Sequence, residues 1–469
     1  MRFSSIQEVL QEGAALISPA IFEGQELKSL IWSALDDTNK WHKRHCVLQA
    51  PIVFSGVLAM TMFRSSSIVN AFKRVLDAAR GLRNVPLKDF TDEAIYHARA
   101  RLGAEPLKQV ARELGAQMVP PPSFLGFIPC AMDGVKLTIP DTPENVAQYG
   151  RHKNGRGDAG YPQIGAVALI YADTRKVIDC VWGRHTLSEL AAAEQMLSNL
   201  GPEHILFLDR RYTKIDLWLQ IVERGIHMVH RLSKVYDWQI KKRLGKGDYL
   251  VEVDYQVVVP SDEPRQRQRL ETKSRTMRVI EYEVNPGETA RVITDLLDPK
   301  LYPALEIALG YHLRWEIELV YDEWQTHLAT VGHGTQHTVF RSQTPEGVLQ
   351  EAWALVVTYN LVRGLMLEAA QKHDIPPLEI SFVDTLEVIR MALPQLQSCQ
   401  THRMARTLYL RMLRDIAHCR LKRPRRKRVA PRVVKVKMSK FPRKRSGDES
   451  RQYDFARALR MVDQTWEAA

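Results

Sequence analysis

The sequence predicts an α/β protein with a helical N-terminal domain, a β-rich insertion, and a helical C-terminal region ending in a basic tail. Three patterns carry this reading. Apolar residues recur at three- and four-residue spacing up to about Leu125, short β-branched runs alternate with a helix after Pro120-Pro121-Pro122, and Val251, Val253, Tyr255 and Val257 alternate with polar neighbours. At 469 residues the chain is longer than the roughly 250–300 at which one hydrophobic core stops growing, so two to four structural units are expected.

Residues 1–125 form the expected helical domain, with helices over Glu26–Trp41, Ser67–Ala79 and Thr91–Leu114. Thr91 is the N-cap of the third, followed by Asp92 and Glu93 in its first turn. The apolar stretch Pro51–Phe63 is broken by Ser55 and Gly56, is shorter than the roughly 20 residues of a membrane helix, and reads as a buried core segment. The domain suits DNA binding or a scaffold bundle, since no helix-turn-helix signature is clean.

Residues 126–235 make the first part of the core, with strands at Phe127–Met132, Ile164–Tyr171 and Val177–Trp182, a helix at Leu187–Leu200, and the run Ile205–Leu208 ending at Asp209. Residues 236–300 read as a β-rich insertion, in which Pro260–Arg275 is a loop or long hairpin between the alternating run and Met277–Val284. Residues 301–375 complete the core with a helix from about Leu305 to Leu328 and a second opened by Thr344-Pro345-Glu346, an N-cap, a first-position proline and a first-turn acid. Residues 376–469 hold further helix and the tail.

The net charge of +12 is concentrated at one place: Arg420 to Arg445 contains 14 Lys or Arg and no acid, and removing those 14 leaves −2 for the rest. Such a tract is a footprint for a polyanion, bound by counterion release and therefore in a salt-dependent way. Arg425, Arg426, Lys427, Arg428, Arg432, Lys435 and Lys437 are its candidate DNA contacts. A membrane partner is not expected, because no amphipathic apolar face accompanies the charge. The five cysteines are scattered and form no C-x-x-C pair, which fits a reduced cytoplasmic compartment, and the first 19 residues lack the basic-then-apolar order of a targeting peptide.

On a wheel at about 100° per residue, Tyr311, Arg314, Glu318 and Gln325 share an arc of roughly 60°, beside a separate apolar stripe of Leu313, Ile317, Val320, Tyr321, Trp324 and Leu328. An ordinary surface helix with an Arg–Glu pair four residues apart gives the same wheel. The spacing Tyr311-x2-Arg314-x3-Glu318-x6-Gln325, however, resembles the Tyr-Arg-Glu-Lys signature of a large bacterial insertion-sequence transposase family. Asp133-Gly134 with Leu137 and Pro140-Asp141-Thr142-Pro143-Glu144-Asn145 resembles its first catalytic motif, and Leu208-Asp209-Arg210-Arg211-Tyr212 its second. Arg341-Ser342-Gln343-Thr344-Pro345-Glu346 and Tyr359-Asn360-Leu361-Val362-Arg363 are similar to the family's sequence after its third motif, so the likeness spans about Thr91 to Arg445 in shared order.

The resemblance implies a ribonuclease-H-like core in which Asp133, Asp209 and Glu318 are the catalytic and metal-holding carboxylates. It implies two Mg²⁺ ions, with Mn²⁺ able to substitute, and Asp133 bridging both. Hard oxygen donors suit these ions and no His/Cys cluster competes. It further implies double-stranded DNA as partner, both as terminal inverted repeats and as target, a homodimer on DNA, a nucleoid-associated location in a bacterium, and cut-and-paste transposition through a hairpin. Tyr311, Arg314 and Gln325 would contact phosphate, with Gln325 standing where the family signature has lysine. Trp238 in the insertion is either a base stacker or a core residue. Taken singly, Asp-Gly is also a common hairpin turn and a strand-ending Asp a common cap. Rival readings are a DNA-binding regulator that keeps the fold without cleavage, whose mark would be a lost carboxylate, and a nuclease acting on RNA or repair intermediates.

Overall fold

The computed structural model describes residues 26–41, 47–81, 90–117, 119–154, 157–233, 236, 238–260, 268–284, 289–328, 338–399, 401–421, 428–429 and 453–463. The strands that matter are β1 (Ile128–Thr138), β2 (Gln163–Tyr171), β3 (Val177–Arg184), β4 (His204–Leu208), β5 (His227–Arg231), β6 (Gln239–Gly245), β7 (Asp248–Pro260), β8 (Gln268–Glu283) and β9 (Thr289–Thr294). The fold is mixed α/β, as expected. It divides into two compact units: residues 1–121, 130–200 and 315–420 in one, residues 122–129, 201–314 and 421–469 in the other.

In the first unit β1, β2 and β3 form antiparallel pairs, β1 with β2 from Cys130↔Tyr171 to Thr138↔Gln163, and β2 with β3 from Ile164↔Arg184. Because β2 pairs along the whole of β1, the strand runs on past Asp133. Asp133-Gly134 is therefore neither a hairpin turn nor a strand end but lies mid-strand, opposite Ala168. The segment Pro51–Phe63 is a helix, Ala50–Met62, with all 13 residues buried. A helix apolar on every side needs neighbours on every side, so the N-terminal helices belong to the same compact unit as β1–β3 and the C-terminal helices rather than to a separate domain. The helix expected over Thr91–Leu114 is two, Asp92–Leu102 and Glu105–Ala116, divided at Gly103, whose φ of 69° lies in the left-handed region. Thr91 and Thr344 both cap as expected, accepting from Ala94 N–H at 3.2 Å and Gly347 N–H at 3.3 Å.

The helix Pro345–Lys372 runs through this unit largely buried, and two of its polar residues, Gln350 and Glu351, are paired with arginines of the N-terminal segment. Arg64 donates to Glu351 at 3.0 Å and Arg99 to Gln350 at 3.0 Å. Such pairs join segments more than 240 residues apart in sequence. Among the described residues no helix is long and apolar enough to cross a membrane.

In the second unit β4 and β5 are parallel, with Leu208 in register with His230, and the order continues β5-β9-β8-β7-β6 in antiparallel pairs. Phe207, Val229, Ile280, Val292 and Ile307 build its core. Residues 239–294 are β-rich, as expected, but the loop is shorter than Pro260–Arg275: β8 begins at Gln268 and pairs with β7 from Gln268↔Pro260 to Ile280↔Asp248. The far arm of this hairpin is polar on both faces, with pairs such as Ser274 donating to Asp254 at 2.6 Å, and so lacks the alternation that marks a half-buried strand.

Candidate active site

The helical stretch expected as one helix from Leu305 to Leu328 changes its winding three times. It is α over Ala304–Gly310, 3₁₀ over Tyr311–Trp315, α over Glu316–Asp322 and π over Glu323–Leu328. A 3₁₀ turn advances about 120° per residue, so a wheel at 100° loses phase across the stretch. The expected polar row is accordingly split, with Glu318 and Gln325 exposed and Tyr311 and Arg314 buried. Of the apolar stripe, Ile317, Val320, Tyr321, Trp324 and Leu328 are buried and Leu313 is half-buried.

In the first unit the burial of β1 ends where its chemistry begins. Ile128 to Met132 are buried, Asp133 is half-buried, and the Gly134 N–H donates to Asp133 Oδ1 at 2.8 Å, orienting the carboxylate. A side chain at Gly134 would meet the Glu189 side chain at about 2.8 Å, so glycine leaves room for that carboxylate beside Asp133. Glu318 projects from the short helix Glu316–Asp322 between neighbours that face inward. On the inward side Arg175, in the turn between β2 and β3, donates from Nε to Glu316 at 2.6 Å and from Nη1 to Glu323 at 2.8 Å. Glu323 also accepts from Tyr359 at 2.7 Å and is paired with Arg363. Burial alone would raise the Glu323 carboxyl; the Arg363 and Arg175 charges, with hydrogen bonds from Arg363 and Tyr359, outweigh it and hold the group below its ordinary range.

Tyr321 makes the other link. Its hydroxyl donates to the Asp133 carbonyl at 2.5 Å and accepts from the Ala168 N–H at 3.2 Å, so the helix bearing Glu318 is fastened to β1 at the residue bearing the first carboxylate.

In the second unit Asp209 directly follows β4, half-buried, and its Oδ1 accepts from the Arg210 N–H at 2.5 Å. Tyr311 was expected to touch phosphate, but its hydroxyl is in the core and donates to the Leu208 carbonyl at 3.2 Å, bracing the strand end before Asp209. Burial pushes that hydroxyl well above its ordinary pKa, so it keeps its proton. His230, opposite Leu208, is fully buried with the Trp218 ring 4.8 Å away; burial lowers it to about 3 against the pull of Asp209, and the imidazole is neutral. His312 is likewise lowered to about 3, by burial first and then by the Arg231 and Arg314 charges. Trp238 is half-buried, with Tyr236 stacked on it at 4.4 Å and Trp218 edge-on at 6.4 Å.

Of the basic tail, Arg428 lies in a two-residue strand paired with Tyr453–Asp454; Arg425, Arg426, Lys427, Arg432, Lys435 and Lys437 lie outside the described residues. Among the described residues no three His, Cys, Asp or Glu side chains converge as a ready-made metal cluster. Each expected carboxylate is thus described within its own unit, Asp133 and Glu318 in the first and Asp209 in the second. Sequence reasoning singled out none of Arg175, Glu316, Glu323 and Arg231, and placed Tyr321 in the apolar stripe without its hydroxyl bonds. The one local signal was the spacing of Glu316 and Glu323, seven residues apart and hence on one helix face.

Residues 128–361 match the Transposase DDE domain family, and residues 26–112 match the family of Insertion element 4 transposase N-terminal segments. The chain is similar to the transposase InsG for insertion sequence element IS4 of Escherichia coli (strain K12), 29% identical over 364 residues that make up 74% of this chain and 77% of that protein. Among solved structures it is similar to the piggyBac transposase in a synaptic complex with hairpin DNA, at 11% identity over 85% of each chain with a TM-score of 0.41. Asp133, Asp209 and Glu318 all fall within the matched DDE segment. The chain belongs to the DDE transposases of the insertion element 4 type, enzymes that cleave DNA and transfer its strands.

Proposed function

We propose that Asp133, Asp209 and Glu318 are the carboxylates of this transposase, holding two Mg²⁺ ions, or Mn²⁺ in their place, in a ribonuclease-H-like core. The observation that carries this reading is the contrast on one short helical stretch: Glu318 faces out while Glu316 and Glu323, to either side of it, are buried and paired. The donor set fits such ions, being hard oxygens, with Asp133 and Asp209 each oriented by the N–H of the next residue. When bound, the ions activate the attacking oxygen and offset charge on the leaving one in an in-line displacement at phosphorus.

The chain's own groups supply the rest. Arg314 and Arg231 hold a phosphate flanking the scissile bond, Gln325 adds a neutral hydrogen bond, and Tyr311 acts through the Leu208 carbonyl by keeping Asp209 in place. The basic tail, including Arg425, Arg426, Lys427, Arg428, Arg432, Lys435 and Lys437, supplies sequence-independent affinity for the backbone, and the N-terminal helices contribute to recognition of the element's terminal repeats. Cleavage at both ends by a DNA-bound homodimer, through a hairpin intermediate, completes the cut-and-paste reading.

The test is strand cleavage of a duplex carrying the terminal repeat. Asp133→Ala, Asp209→Ala and Glu318→Ala should each abolish Mg²⁺-dependent cleavage while binding the duplex as the parent does, because these groups hold metal and not bases. Cleavage by Asp209→Ala near the parent rate would overturn the assignment.

A further inference from the structure

We propose that Tyr321 and Arg175 are positioning residues that set where the Glu318 carboxylate stands relative to Asp133. The inference rests on reading those two carboxylates as metal holders.

The geometry has two parts. Glu316 and Glu323 are seven residues apart, about 20° from the same helix face, whereas Glu318 is about 200° round from Glu316. Arg175 therefore grips the face opposite Glu318 through two residues whose backbones stand about 10 Å apart along the axis, from Nε to Glu316 at 2.6 Å and from Nη1 to Glu323 at 2.8 Å. A planar guanidinium held at both ends fixes the rotation of the helix as one bond could not. Rotation is the coordinate that matters: a carboxylate some 5–6 Å from the axis moves about 1 Å for every 10° of turn. Displacements of that size cost active sites up to about a hundredfold in rate.

Tyr321 fixes the translation. One turn after Glu318, its hydroxyl bonds the carbonyl of Asp133 itself and the N–H of Ala168, the β2 residue opposite Asp133. The helix is thereby registered to the residue whose carboxylate Glu318 must match. Arg175 also stands at φ 59°, in the left-handed region that favours glycine. Its neighbours complete an ordinary tight turn, with the Arg175 N–H donating to Tyr171 at 2.8 Å and the Tyr171 N–H to Lys176 at 2.9 Å. The turn would be served as well by glycine, so the arginine answers to the two glutamates.

Tyr321→Phe removes only the hydroxyl, and Arg175→Gly suits the turn while deleting the grip. The readouts are Mn²⁺ binding to the full chain by calorimetry, the Mg²⁺ concentration that half-saturates cleavage, duplex affinity, and melting temperature, with Glu318→Ala as control. Each variant should bind Mn²⁺ roughly tenfold or more weakly and need correspondingly more Mg²⁺, the usual effect of losing a group that orients a metal ligand, with duplex affinity unchanged. Arg175→Lys, a cation without the fork, should recover little. Parent-like Mn²⁺ affinity and Mg²⁺ requirement in Tyr321→Phe and Arg175→Gly, whatever their melting temperatures, would overturn the proposal if Glu318→Ala loses both. Should Glu318→Ala itself bind Mn²⁺ and cleave as the parent does, the underlying assignment of Glu318 fails instead.

Discussion

The helix that carries Glu318 and the strand end that carries Asp209 are held by opposite means. Behind Glu318 lie charges: Glu316, Glu323, Arg175 and Arg363 are buried together, with Tyr359 hydrogen-bonded among them. Behind Asp209 the groups that brace the strand end are neutral, Phe207 and Leu208 in the sheet, the uncharged His230 and the protonated Tyr311, although the Arg314 and Arg231 charges act on that tyrosine. A buried ion network adds little net stability over an apolar core of the same shape, but breaking it leaves an unmatched charge. It tolerates few arrangements, which suits a carboxylate on a short helix with no strand ladder to hold it. Asp209 already has the ladder, and packing suffices.

The comparison breaks most visibly if one charge is withdrawn. Arg363→Met should lower stability by about 3–5 kcal/mol, as expected when a buried pair loses one partner, read as the denaturant midpoint. A change below about 1 kcal/mol would mean that the network is looser than its geometry.

Acid separates the two regions more finely. His230 is held neutral, from an ordinary 6.5 to about 3. Its folded pKa is depressed, so between those values the unfolded chain binds a proton that the folded one refuses. Stability from this site is full above about pH 6.5 and declines as pH falls towards 3, by up to about 1.4 kcal/mol per pH unit. The Glu323 carboxyl is also depressed, but from 4.5, so its contribution persists above that value and fades only as pH drops through its lower folded one. His230→Leu should therefore reduce the slope of the stability profile between pH 6 and 5, leaving the share of His312, whereas Glu323→Gln leaves the slope unchanged. Equal slopes in His230→Leu and the parent would contradict a neutral buried ring.

These differences also mark what could be read from the residues in order. Strands β2 to β4, the caps Thr91 and Thr344, the position of Asp209 after an apolar run and of Glu318 on a helix were legible because each has a local pattern. The helix Ala50–Met62 was not, since a segment buried on all sides has no apolar period. The π winding after Asp322 was not, since nothing in Glu323–Leu328 departs from helical spacing. Arg175 with Glu316 and Tyr321 with Asp133 are 141 and 188 residues apart, and one sequence contains no signal for such pairs.

The tail calls for substitution rather than removal, because the chain beyond it returns to the second unit: Leu459 is buried in that core, and Asp463 accepts from the Gly247 N–H and the Tyr249 hydroxyl. Replacing Arg425, Arg426, Lys427 and Arg428 with Gln should reduce the slope of log affinity against log salt by up to about 0.9 for each phosphate no longer neutralised. An unchanged slope would mean that other residues neutralise those phosphates. The smallest effect is expected at the exposed Gln325, where Gln325→Lys should strengthen end binding by about 1 kcal/mol, a charge-assisted bond replacing a neutral one. Identical affinity and cleavage rate in Gln325→Lys and Gln325→Ala would show that this position does not meet DNA.

Of three glutamates within eight residues, we propose that Glu318 alone serves the reaction directly while Glu316 and Glu323 serve the fold. Glu318→Gln keeps shape and removes charge from an exposed position, so single-turnover cleavage of the terminal-repeat duplex can be measured beside the melting temperature of the same preparation. The expected result is loss of cleavage with melting and duplex affinity unchanged. Cleavage near the parent rate, or a fall in melting temperature that accounts for the loss, would contradict it.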